Sequence, residues 1–108
     1  MAKYLFIESR DPFESVDWQG QIDLIRGVRE RGHETLLFLV QNGVLPARQG
    51  ARYGDQLTAL AQAGVQVLGD RFSLRERAIE QIQPGVQATE IGALVGLLLE
   101  PGTKAIWH

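Results

Sequence analysis

Cysteine is absent from this chain, and its absence removes disulfides, thiolate metal sites, persulfide carriage and cysteine nucleophiles together. Histidine is scarce, at positions 33 and 108 only. Neither has a second ligand at metal-binding spacing, so both read as solvated surface residues and no metal is expected. No long apolar run occurs either. The longest apolar-rich stretch, Ile91 to Leu99, falls short of the roughly 20 residues a bilayer-spanning helix needs. The opening Met-Ala-Lys-Tyr-Leu-Phe-Ile-Glu has too short an apolar core for a signal peptide. A cytoplasmic protein without membrane contact is therefore expected. Neither sign of charge dominates: 11 Lys and Arg stand against 13 Asp and Glu, a net charge of -2, so nothing marks a general nucleic-acid surface. No G-x-G-x-x-G or G-x-x-x-x-G-K-[ST] occurs, and no nucleotide phosphate cradle or other cofactor is expected.

What is present describes one domain over residues 1–108, with 44% hydrophobic and 22% charged residues, ordinary globular values. Leu36 to Val40 form a continuous rather than alternating apolar run. That pattern suits a strand covered on both faces, the central strand of a parallel sheet between helix layers. Asn42-Gly43 opens a loop at its end. Tyr4 to Ile7 reads as a second buried strand, followed by a loop around Pro12. Trp18, Ile22, Ile25 and Val28 recur at helical spacing, and Gly32 closes that helix. Leu45 to Gly54 reads as loop with at most one short turn. Asp55 is expected to cap a helix with Leu57, Leu60 and Ala61 inward, before a third strand at Val65 to Leu68.

Ser73 is the expected N-cap of a helix over Leu74 to Ile82, with Glu76 completing a capping box. Val86 to Ala88 is a brief fourth strand, and Thr89 the N-cap of the next helix. That helix, Ile91 to Leu99, is apolar nearly all round, which predicts burial under the sheet or against another subunit. Thr103 to Trp107 is the last strand. Strands and helices alternate, so the expected architecture is α/β: a three-layer α/β/α sandwich around a mostly parallel five-stranded sheet, with a right-handed first crossover.

In open α/β sheets ligands collect at the carboxyl ends of the strands. Three loops should meet there, and they bring Asp11, Asn42, Gly43, Asp70, Arg71 and Ser73 as candidate binding residues. Helix starts supply N–H donors and Arg71 a fork of five more, which suits a small anion. Asp11 and Asp70 oppose an anion and serve equally well as turn caps. Ser9, Ser15 and Ser73 have no evident histidine partner, so no nucleophile emerges and no catalytic residue is assigned.

Several stretches carry a resemblance. They are Asp11-Pro12-Phe13 after the first strand, Gly32-His33-Glu34 leading to Leu37-Phe38-Leu39, Asn42-Gly43-Val44, Gly64-Val65-Gln66-Val67 and Arg77-Ala78-Ile79. Together they resemble the DsrE/DsrF-like family, small α/β proteins of sulfur-relay systems. Active members of that family place a persulfide-carrying cysteine just after the third strand, sometimes with another three residues on. The positions here are Asp70 and Ser73, and a carboxylate cannot hold sulfane sulfur. The resemblance therefore implies a non-catalytic, oligomeric binding or assembly subunit, with intracellular sulfur relay as its setting. Its expected partners are copies of itself, as trimer or hexamer, or a related subunit in a hetero-oligomer. The alternatives are a sensor of a small anion or nucleotide, or an enzyme using Asp70 where the family has cysteine.

Overall fold

The computed structural model describes residues 2–108. Its elements are β1 (Lys3–Glu8), α1 (Trp18–Glu30), β2 (Glu34–Leu39), a 3-10 helix (Gln41–Ala47), α2 (Gly54–Gln62), β3 (Gln66–Asp70), α3 (Arg71–Glu76), β4 (Val86–Thr89), α4 (Ile91–Leu99) and β5 (Thr103–Trp107). The five strands form one sheet in the order β4-β3-β2-β1-β5, and every pair is parallel. The expected central strand is central: β2 is third of five.

This order decides where the helices go. From β1 to β4 each connection steps the same way, and right-handed crossovers then put α1, α2 and α3 on one face. The last connection returns past β1 to β5, so the same rule sends α4 to the other face. The packing agrees. Phe6, Leu37, Leu39 and Val67 share a core with Trp18, Ile22, Leu57, Leu60 and Leu74 from the three helices. Leu5, Ile7, Leu36, Phe38, Val40 and Leu68 share theirs with Leu94 of α4. The alternation along each strand explains why both parities are apolar.

The two faces are unequally covered. A helix is about 10 Å wide, whereas five strands span about 19 Å. α4 therefore leaves a trough of about 830 Å³ beside it, with Leu36 and Leu68 in its floor and Gly96 and Leu97 on its wall. Of α4 itself only Leu94 is fully buried, while Ile91, Val95, Leu98 and Leu99 are exposed. Burial beneath the sheet, one of the two fates expected for this helix, is not what the chain does.

Several boundaries differ from the sequence reading for local reasons. Residues 41–47 coil into the 3-10 helix rather than an open loop, with the Gly43 amide donating to the Val40 carbonyl at 2.9 Å. α2 begins at Gly54, which puts Asp55 in its first turn instead of at its cap. β4 keeps Thr89 as its last residue, so Glu90 precedes α4 and makes no capping bond. Pairing of β3 with β4 continues to Asp70 opposite Thr89, so α3 starts at once and Asp70, not Ser73, is its N-cap.

α3 also stops six residues before Ile82. The Ala78 amide donates to the Arg75 carbonyl (3.1 Å) and the Ile79 amide to the Leu74 carbonyl (2.9 Å), with Ala78 at φ 54. This is a Schellman closure. The chain beyond it runs back along the end of the 3-10 helix. There the Gln83 amide reaches the Ala47 carbonyl and the Gln49 amide the Gln81 carbonyl, both at 2.8 Å.

Candidate functional site

Asp70 ends β3 on the parity of Leu68, so it faces the α4 side at the carboxyl edge of the sheet. Its Oδ2 accepts from the Ser73 amide at 3.1 Å and from the Ser73 hydroxyl at 2.6 Å. The Ser73 oxygen in turn accepts from the Gln41 amide at 2.9 Å. Gln41 adopts φ 52, a left-handed conformation uncommon for a residue with a side chain. Ser73 thus ties the end of β2 to the start of α3 and does not cap the helix itself. Asp70 and Ser73 are both buried, and among the described residues Asp70 Oδ1 has no hydrogen-bond partner. Both line a cavity of about 290 Å³ with Phe72, Ile91, Leu94 and Trp107. Chemically, one Asp70 carboxylate oxygen accepts from two donors and the other, among the described residues, has no partner, beside a cavity whose apolar side chains are joined by Gln41 and Glu76. Such a group accepts a hydrogen bond from an amine or hydroxyl; it offers no nucleophile of the thiolate kind.

The other candidate residues are divided. Asn42 joins the cluster indirectly: its Oδ1 accepts from Arg77 Nε and Nη2 at 3.1 and 3.0 Å, while Arg77 Nη1 donates to the Ser73 carbonyl at 3.1 Å. Asn42 Nδ2 donates to Glu14 Oε1 at 3.3 Å. Gly43 is buried against the end of β1, where a Cβ would lie 2.1 Å from the Glu8 carbonyl oxygen. Its lack of a side chain permits that backbone approach. Arg71 turns away toward β4, donating to the Ala88 carbonyl at 3.0 Å and pairing with Glu90 at 3.4 Å. Asp11 accepts from the Phe13 amide at 3.4 Å and borders a separate cavity on the opposite side of the sheet. The six residues therefore form one compact pair, Asp70 and Ser73, with Asn42 attached through Arg77 and the rest elsewhere.

Arg77 and Gln41 were not anticipated as site residues. Arg77 belongs to the Arg77-Ala78-Ile79 stretch that carries part of the family resemblance, which was its one visible signal. Gln41 acts through its backbone amide, which no side-chain pattern announces.

His108 is the clearest correction. It is not a solvated surface residue: its Nδ1 faces the Glu8 carboxylate at 2.7 and 3.0 Å, and Glu8 is buried. Glu8 Oε2 also accepts from the Arg10 amide at 3.1 Å. The register of β5 on β1 produces this, since Ile7 opposite Trp107 brings the next residues side by side. His33 lies at the amino edge, half-buried, accepting from the Ala2 amide at 3.3 Å and meeting Tyr4 edge-on at 5.1 Å. At that same edge a hydrogen bond to Glu100, opposed by burial and aided by Glu34, raises the Lys3 ammonium pKa above its ordinary range. Among the described residues no group of three acidic or histidine side chains gathers as a metal site would require, and no helix is long and apolar enough to cross a membrane.

No protein-family model and no curated protein matches the chain. Solved structures do. The ychN protein from E. coli superposes with a TM-score of 0.84 at 19% identity, covering all of both chains. MTH1491 from Methanobacterium thermoautotrophicum, described as a protein of unknown function, gives 0.86 at 18% identity, again over all of both chains. BT1422 from Bacteroides thetaiotaomicron, a conserved protein of unknown function, gives 0.78 at 14% identity over 98% of this chain and 95% of its own. At such identities the likeness is one of fold, and the chain shares the five-stranded parallel α/β/α fold of these proteins.

Proposed function

We propose that this chain is a cysteine-free DsrE/DsrF-like subunit that works by association, an oligomeric binding or assembly module of the kind found in sulfur-relay systems. The observation that carries the reading is the outer face of α4. Ile91, Val95, Leu98 and Leu99 stand exposed along it, no charge interrupts the helix, and Phe72 and Trp107 extend the apolar surface to the Asp70 cavity. Contiguous apolar surface of this kind marks an interface in a stable protein. Every copy of the chain carries the same uncharged apolar face, so a further copy is the occupant proposed for it. Two features support the non-catalytic half of the reading. Asp70 stands where the family's carrier cysteine would be, and its bound oxygen already has a structural task at the start of α3.

Light scattering on size-fractionated protein tests this. The native chain should run as a trimer or hexamer, and a Val95→Lys/Leu98→Lys variant should run as a monomer with an unchanged circular dichroism spectrum. A native chain that is monomeric at every concentration, or a variant that keeps the native oligomer, overturns it.

A further inference from the structure

On the face covered by α1 to α3, away from both the α4 surface and the Asp70 cavity, lies a cavity of about 430 Å³, within the range of about 300–1,000 Å³ typical of small-ligand sites. Its floor is apolar, from Leu45, Pro46 and Ile79. One wall is aromatic: the rings of Phe13 and Tyr53 meet edge-on with centroids 5.2 Å apart. Its rim is cationic, with Arg48, Arg52 and Arg77 set against the single carboxylate of Asp11. Arg52 lies over the Tyr53 ring at 5.6 Å.

These arginines are not occupied by acids. The ion pairs among the described residues use Lys3, Arg71 and His108. Arg77 spends three of its N–H groups on Asn42 and Ser73, and Asp11 already accepts from the Phe13 amide. The backbone segments that carry part of this lining are tied to one another. Gln49 and Gln83 amides tie both sides of the cavity together, residues 48 and 82 form an antiparallel bridge, and Gly54 is pressed against the Gln83 side chain. A slot with an aromatic wall and guanidinium groups on its rim suits a planar ring that carries an anion. A flat ring stacks on the aromatic and guanidinium planes, and an attached anion meets the forks of N–H donors.

We infer that this cavity binds a planar aromatic anion of nucleoside monophosphate size, with Phe13 and Tyr53 seating the ring and Arg48 and Arg52 holding the phosphate. The site goes beyond the association proposed for the α4 face and involves none of its residues, so either can fail alone.

Calorimetric titration with AMP, GMP, CMP and UMP, and with adenosine and inorganic phosphate as the separate halves, tests it. At least one nucleotide should saturate, and each half should bind at least about tenfold more weakly. Arg48→Ala/Arg52→Ala should weaken that nucleotide by about tenfold or more, because two charge-assisted contacts are lost. Tyr53→Leu should weaken the nucleotide while leaving phosphate unchanged. Both arginines are exposed, so the double variant keeps the fold, which its melting curve checks. The inference is overturned if no nucleotide saturates, if phosphate alone binds as tightly as the nucleotide, or if the arginine variant binds as well as the native chain.

Discussion

Three helices press on one face of the sheet and a single short one on the other, and the two sides have correspondingly different characters. On the first, Phe6, Leu37, Leu60 and Val67 belong to a large core that also takes in Val44 and Ala47 of the 3-10 helix and Ile79 beyond α3. On the second, seven residues make the buried cluster and one of them, Leu94, comes from a helix. The deep side is self-sufficient. The shallow side leaves apolar area in water and, among the described residues, a carboxylate oxygen without a partner. What the contrast teaches is that topology, not composition, decides which surface remains available: once β5 lies outside β1, only one connection can cross the α4 face.

The sharpest way to break this comparison is to remove the same side chain from each side. Phe6 and Phe38 lie in adjacent strands, are both almost fully buried and belong to opposite cores. Phe6→Ala should cost about 4 kcal/mol, within the usual range of about 3–5 for a buried phenylalanine. Phe38→Ala should cost about 1 kcal/mol less, because a lone helix can settle into the void more fully than three interlocked ones. Urea denaturation measures both. Equal costs, or a larger cost at Phe38, would show that α4 is held as rigidly as the opposite layer.

The deep side was the more legible in the sequence, for a physical reason. Trp18, Ile22 and Ile25, or Leu57 and Leu60, repeat at helical spacing because a helix that packs on a sheet must present one stripe. Leu36 to Val40 is continuous because β2 is covered twice. Neither inference needs contacts between distant residues. The site did need them. His108 meets Glu8 across the whole length of the chain, and Arg48 is brought beside Ile82 by an irregular bridge; neither partnership leaves a periodic trace. Ser73 was misread because a Ser followed three residues later by Glu has the form of a capping box, while the competing cap, Asp70, was hidden inside a strand that ran further than its apolar residues. The place of Asp70 at the carboxyl end of the third strand was nonetheless readable, and the structure makes it the last residue of β3 and adds what it binds.

A smaller effect sharpens the contrast at the edge where the two sides meet. Asp70 occupies the shallow side but accepts from two donors of α3, on the deep side. Asp70→Ala removes the cap and leaves the buried Ser73 amide unpaired, which should cost about 2 kcal/mol. Asp70→Asn keeps a side-chain oxygen for those donors and should stay within about 0.5 kcal/mol of the native protein. Thermal denaturation of the pair decides whether the residue is there for its oxygen or for its charge. An Asn variant as unstable as the Ala variant would assign the effect to the charge.

The smallest effect asks how firmly the deep side holds its own backbone. Ala78 sits at φ 54 so that Ile79 can turn back and bury beside Leu74. A left-handed alanine carries roughly 1–2 kcal/mol of strain, tolerated here because Ile79 and the bonds from residues 81 and 83 fix the chain on both sides. Glycine adopts the same conformation freely, at an entropic disadvantage of about 0.4–1 kcal/mol from the unfolded chain. Ala78→Gly should therefore raise stability by about 0.5–1 kcal/mol, the difference of those two effects. If the variant is instead less stable, the turn is not under tension, and the deep side is holding nothing that it would otherwise release.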